Sequence, residues 1–106
     1  MIEIEKRSVI SSLELRDVLA ADRRSWIAFE CVVDEDGKRC WKVLVVNQDG
    51  AQSIVITARA KARILKSADG VLVFYRDFYP WAQSIDLPIA HGAIRPDRAP
   101  TPPDPE

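Results

Sequence analysis

Trp26-Ile-Ala-Phe-Glu-Cys-Val-Val33, Cys40-Trp-Lys-Val-Leu-Val-Val46 and Ser53-Ile-Val-Ile-Thr57 are three runs rich in β-branched and aromatic residues. Such runs suit a pleated, half-buried surface. The connections between them, Asp34-Glu-Asp-Gly37 and Asn47-Gln-Asp-Gly50, both end in Asp-Gly. Taking Glu35-Asp36-Gly37 as a three-residue loop puts Gly37 in the left-handed conformation that closes a bulged hairpin. Asp34 then faces Lys38, Cys31 faces Trp41, Phe29 faces Val43 and Ile27 faces Val45. Apolar side chains meet along one face. A four-residue loop would set Phe29 against Lys42 and Cys31 against Cys40, and the match would be lost. A one-residue slip moves every side chain to the other face, so the pattern selects the shorter loop. The same reasoning at Gln48-Asp49-Gly50 sets Val43 opposite Val55 and Leu44 opposite Ile54. The three runs therefore predict an antiparallel meander.

Upstream, Ser11-Ser-Leu-Glu14 fits a capping box, with Ser11 as N-cap and Glu14 reaching back to it. Ile10 and Leu15 complete a hydrophobic staple, and Leu15, Val18 and Leu19 share a face. A helix is expected from about 12 to 23, lying on the sheet with a narrow apolar stripe. Ile2 and Ile4 alternate with Glu3 and Glu5, which permits a short edge strand.

Downstream the reading divides. Ala58-Arg-Ala-Lys-Ala-Arg-Ile-Leu-Lys-Ser-Ala68 alternates as a strand would, but its composition of Ala, Arg, Lys and Leu predicts a helix. That helix would be capped by Thr57 and followed by Gly70. Val71 to Tyr75 is the most apolar run in the chain, and its length predicts a strand inside the sheet. The fold class expected is α+β: an antiparallel sheet of four to five strands, the meander plus a later apolar strand, packed with two helices. It would form one domain over residues 1–94. Residues 95–106 hold five of the seven prolines and no aromatic residue, which predicts a disordered or polyproline-like tail. Pro102 and Pro105 bracket a PxxP spacing, the kind read by aromatic grooves.

Composition excludes several functions. The 106 residues carry 15 Lys and Arg against 16 Asp and Glu, a net charge of -1 that leaves no global footprint for nucleic acid. No stretch approaches the roughly 20 apolar residues of a membrane span. The N-terminus is charged where a signal peptide needs an apolar run, so a cytoplasmic protein is expected. Cys31 and Cys40 fall on opposite faces in the chosen register, which forbids a disulfide between them and predicts structural thiols. His91 is the only histidine. It sits among small residues, so no Ser-His-Asp or Cys-His arrangement can be built, and a surface histidine is expected. No zinc set, Walker loop or dinucleotide fingerprint occurs. Asp34, Glu35 and Asp36 lack the spaced ligands of a calcium loop and read as a solvated hairpin tip. No cofactor and no enzyme activity is expected.

Two features remain. Arg59, Lys61, Arg63 and Lys66 are four positive charges in a segment with no negative one. On a helix Arg59, Arg63 and Lys66 would share a face and could position phosphates weakly. Phe74, Tyr75, Phe78, Tyr79 and Trp81 place five of the eight aromatic residues within eight positions. Arg76, Phe78, Tyr79 and Trp81 are residue types favoured at interface hot spots and are the candidate contact set for a protein partner or self-association. The competing reading is a loop folded back to cap a small core.

The order helix, three strands, helix resembles the double-stranded RNA-binding domain over roughly residues 11–68. The resemblance implies that Arg59, Lys61 and Arg63, opening the second helix, would grip phosphates. The family's consecutive lysines are missing, the first hairpin tip is acidic, and a strand is expected after the second helix. The function is therefore not carried over. In size the chain is also similar to the short proteins common in bacteria, a likeness that implies no activity. The leading expectation is a small interaction module working through the aromatic set; the alternative is weak nucleic-acid binding through the basic segment.

Overall fold

Both hairpins have the register that the Asp-Gly loops demand. A computed structural model describes residues 8–22 and 24–94. In it β2 (Trp26–Val33) and β3 (Arg39–Val46) pair antiparallel, with Cys31 opposite Trp41, Phe29 opposite Val43 and Ile27 opposite Val45. The Asp34 N–H donates to Lys38 O at 2.9 Å, and Gly37 adopts φ of 80°. The Asp34 carboxylate accepts from the N–H groups of Asp36 and Lys38, holding the loop from inside. Asn47 does the same for Asp49 and Ala51 at the second turn. An Asx residue at the mouth of each loop is the reason the two turns close alike.

The β3 strand then pairs with β4 (Gln52–Ile56), with Leu44 opposite Ile54. Here one expected pair opens. The Val43 N–H donates to Arg63 O at 3.2 Å, and the Arg63 N–H donates to Val55 O at 2.8 Å. The backbone of Arg63 thus wedges between Val43 and Val55. It belongs to a returning segment that ends in β5 (Ile64–Leu65), which pairs with β3 at Trp41 and Lys42.

The helix expected over 58–68 is therefore absent. Residues 57–61 form a tight turn instead: the Thr57 N–H donates to Lys61 O at 2.7 Å, and the Ala60 N–H donates to Thr57 O at 2.9 Å. Ala60 takes φ of 62°, unusual for a residue with a Cβ. Helix propensity is worth only tenths of a kcal/mol per residue, and it loses to β3, whose outer half needs a partner where β4 departs.

The strand expected at Val71–Tyr75 is a helix, α2 (Ala68–Phe78). Ser67 caps it, accepting from the Gly70 N–H at 2.9 Å. Asp69 lies in its first turn and Arg76 in its last, each favourable to the helix dipole. Val71, Tyr75 and Tyr79 recur at every fourth residue and are buried, whereas Leu72 and Val73 are exposed. The five apolar residues in a row hid this period, because two of them point away from the core.

The expected capping box forms, and the helix after it ends at Ala21, short of the expected residue 23. Ser11 and Glu14 form the reciprocal capping box over a 3-10 turn, Ser12–Glu14, which leads into α1 (Leu15–Ala21). Leu15 is buried and Ile10 packs against the same cluster. The strand before it, β1 (Ser8–Ser11), runs parallel to β4. The sheet is thus mixed and five-stranded, in the order β1-β4-β3-β2 with β5 on β3, and with the two helices it makes an α+β fold. The expected strand at residues 2–5 and the tail at 95–106 lie outside the described residues.

Both helices cover one face of the sheet. Leu15, Val71, Tyr75 and Tyr79 pack there on Ile27, Phe29, Cys31, Val43, Val45 and Val55. Phe29 sits at the centre, with ring centroids 6.1 Å from Tyr75 and 6.4 Å from Phe74. The opposite face carries a second apolar cluster of Ala28, Leu44, Val46 and Ile54.

Candidate functional site

Helix α2 brings four of the five clustered aromatics onto or beside the core, and this sorts the candidate contact set. Tyr79 follows α2 at its C-cap and is buried; its hydroxyl accepts the Ile27 N–H at 3.1 Å. Phe78 is half-buried and stacks on Phe74 at 5.2 Å between ring centroids. The guanidinium of Arg16 lies 4.7 Å from the Phe78 centroid while also pairing with Asp77, so α1 and α2 are bridged over this ring. Such a contact over a partly exposed ring contributes about 0.5–1 kcal/mol. Trp81 packs edge-on to Tyr79 at 5.8 Å and remains 36% exposed. Arg76 is exposed. Tyr79 is thus part of the core, Phe78 is shared between core and surface, and Arg76 and Trp81 stand at the surface.

A groove of about 420 Å³ opens on the outer side of α2. Leu72, Val73 and Arg76 form its helix wall, and Ala82 and Ile85 from the irregular chain that follows form the other. Asp69 marks the N-terminal end of the helix wall and Arg76, two turns on, the other end. Val73 is 73% exposed and Leu72 is 42% exposed. The arrangement is an apolar trough with an acid at one end and a base at the other. Leu72, Val73 and Ile85 were not among the candidates from sequence. Their signal was the helical period itself, which places two of the apolar residues of Val71–Tyr75 off the core face.

The basic segment has a different geometry from the one expected. Arg59, Lys61, Arg63 and Lys66 are all exposed. With no helix at 58–68 the i, i+4, i+7 face does not exist, and the four charges spread along a turn and a short strand. Arg63 lies over the Phe74 ring, 5.9 Å from its centroid. The likeness to the double-stranded RNA-binding domain ends here too, because the second helix follows a further strand rather than the meander.

His91 has a structural partner. Its Nδ1 accepts the Val33 N–H at 3.0 Å. It belongs to a strap along the outer edge of β2. The Cys31 N–H donates to Ala93 O at 2.9 Å and the Gly92 N–H donates to Cys31 O at 2.8 Å. Further along, the Arg39 Nε and Trp41 Nε1 groups donate to Ile89 O and Pro88 O, each at 2.8 Å. An exposed strand edge invites pairing with other chains, and this strap occupies it. Cys31 is buried and Cys40 half-buried, one on each face of the sheet. Among the described residues, no group of three His, Cys, Asp or Glu could hold a metal, and no helix is long and apolar enough to cross a membrane. Comparison with known protein families, with curated proteins and with solved structures finds no match.

Proposed function

We propose that this protein is a small, non-enzymatic cytoplasmic interaction module whose contact surface is the groove beside α2. The observation that carries this reading is the exposure of Leu72 and Val73 between Asp69 and Arg76. A helix in a domain this small gains by burying its apolar residues. Two left at the surface beside the half-buried Ile85 form an apolar patch with polar ends, the pattern of an interface centre and rim. The partner is a short protein segment, apolar at its centre, with a carboxylate meeting Arg76 and a cation meeting Asp69. Trp81 extends the surface beyond the groove, and Tyr79 and Phe78 support it from below.

The test is selection of displayed peptides against the full chain, followed by amide chemical-shift mapping. Selected peptides should perturb Leu72, Val73 and Arg76, and Val73→Glu should weaken binding by about tenfold or more while leaving the circular dichroism unchanged. The reading fails if selected peptides perturb other surfaces. It also fails if only RNA or DNA binds, perturbing Arg59, Lys61, Arg63 and Lys66 in a salt-dependent way.

A further inference from the structure

The outward face of α2 is complementary to itself when reversed. Asp69, Leu72, Val73 and Arg76 stand at i, i+3, i+4 and i+7, so they form one stripe along the helix. All four are exposed, whereas Val71 and Tyr75 on the other side of the helix are buried. The midpoint of the stripe falls between Leu72 and Val73. Turned end for end about that point, the stripe sets Asp69 on Arg76 and Leu72 on Val73. Acid falls on base, and apolar residue on apolar residue. That is the condition for a two-fold contact, in which one patch meets itself and residue i meets j as j meets i.

The charges at the two ends are open to a partner. Seven residues along an α-helix rise about 10 Å, too far for Asp69 and Arg76 to pair with each other. Among the described residues, neither makes an ion pair with another part of the chain. A partner seated here must carry a cation and a carboxylate about 10 Å apart, with apolar side chains between them. A second α2 running antiparallel has that spacing by construction. Packed helices lie about 8–10 Å apart, which brings Leu72 and Val73 of the two copies into contact and both charge pairs into reach. A parallel pair would set Asp69 on Asp69 and Arg76 on Arg76, and like charges oppose it. Ala82 and Ile85 flank the stripe and give the incoming side chains a second apolar wall.

We infer that the occupant of the α2 groove is a second copy of this chain, joined through an antiparallel α2–α2 contact. Leu72 and Val73 form its centre, and two Asp69–Arg76 pairs fix its register. This inference rests on the reading of the groove as a contact surface and names the partner. The patch is small, so the dimer belongs with the weak, concentration-dependent interfaces. Exposed ion pairs add little affinity; here they select the antiparallel arrangement over the parallel one.

Sedimentation equilibrium of the full chain from about 10 μM to about 1 mM, with amide shifts followed over the same range, tests this. The mass should rise towards that of two chains, and the shifts should move at Asp69, Leu72, Val73 and Arg76. Asp69→Arg and Arg76→Asp each place like charges in contact twice, and each should weaken association by about tenfold or more. Mixed in equal amounts, the two variants regain both opposite-charge pairs, and the mixture should associate as the unsubstituted chain does. Three results would each overturn the inference: a chain monomeric at about 1 mM, association that shifts Val9 and Leu13 at the β1 side instead, or variants of unchanged circular dichroism that do not pair when mixed. If the chain is monomeric and selected peptides still perturb Leu72 and Val73, the groove stands as a contact surface for another partner; if they do not, that reading falls as well.

Discussion

The phenol oxygen of Tyr79 accepts the backbone N–H of Ile27 at 3.1 Å, across 52 positions of sequence. Ile27 lies on the outer strand of the meander, and its N–H points to the edge that β3 does not occupy. Further along the same edge the N–H groups of Cys31 and Val33 go to Ala93 O and His91 Nδ1. One side chain from the end of α2 and one irregular strap thus do for β2 what a neighbouring strand would do.

Tyr79→Phe keeps the ring and removes the acceptor. The Ile27 N–H would lose this acceptor, so the chain should lose about 0.5–1.5 kcal/mol of stability. Urea denaturation checks this, with the midpoint falling and the slope unchanged. A neutral substitution would mean that water replaces the phenol.

His91→Ala removes the acceptor from the Val33 N–H at an exposed site. The expected cost is smaller, about 0.5–1 kcal/mol. The sharper readout is hydrogen exchange: the Val33 amide should exchange faster while the Val43 amide, inside the sheet, stays as it was.

Ala60→Gly should stabilise the protein. Ala60 sits at φ of 62°, where a Cβ costs about 1–2 kcal/mol. Glycine relieves that strain, and its greater freedom in the unfolded chain offsets part of the gain, leaving about 0.5–1 kcal/mol. A rise in the thermal midpoint is the result to look for.

Ser67→Ala removes the N-cap of α2 and should cost about 1 kcal/mol. Because α2 carries Val71 and Tyr75 into the core, the loss should appear as a lower denaturation midpoint rather than as local fraying alone.

The two cysteines should separate under alkylation. Cys40 is half-buried and Cys31 fully buried, on opposite faces of the sheet. Mass spectrometry of the native protein should show modification at Cys40 first, with Cys31 reacting only as the protein unfolds. Equal rates would contradict the packing around Phe29.

The parts legible in the sequence are those settled by neighbours in the chain. Asp34 and Asn47 close their own loops, and the alternation of Ile27, Phe29 and Cys31 allows one register against Trp41, Val43 and Val45. Ser11 and Glu14 cap their own helix. These contacts span a few residues or a single hairpin, so local rules decide them. The segment from 58 to 78 was not legible in that way. Its first half follows helix propensity on paper, but the unpaired outer half of β3 claims it as a turn and a strand. Its second half reads as a buried strand, but once β5 takes that place Val71, Tyr75 and Tyr79 can cover the sheet only as one face of a helix. That exchange also decided the candidate site. It moved Tyr79 into the core, dissolved the basic helix face, and turned Leu72 and Val73 outward beside Arg76. Sequence alone determined the meander, because its register is a matter of adjacent strands. Tertiary structure decided everything after Thr57, because there the gain from completing a sheet and covering its face exceeds what any local preference contributes.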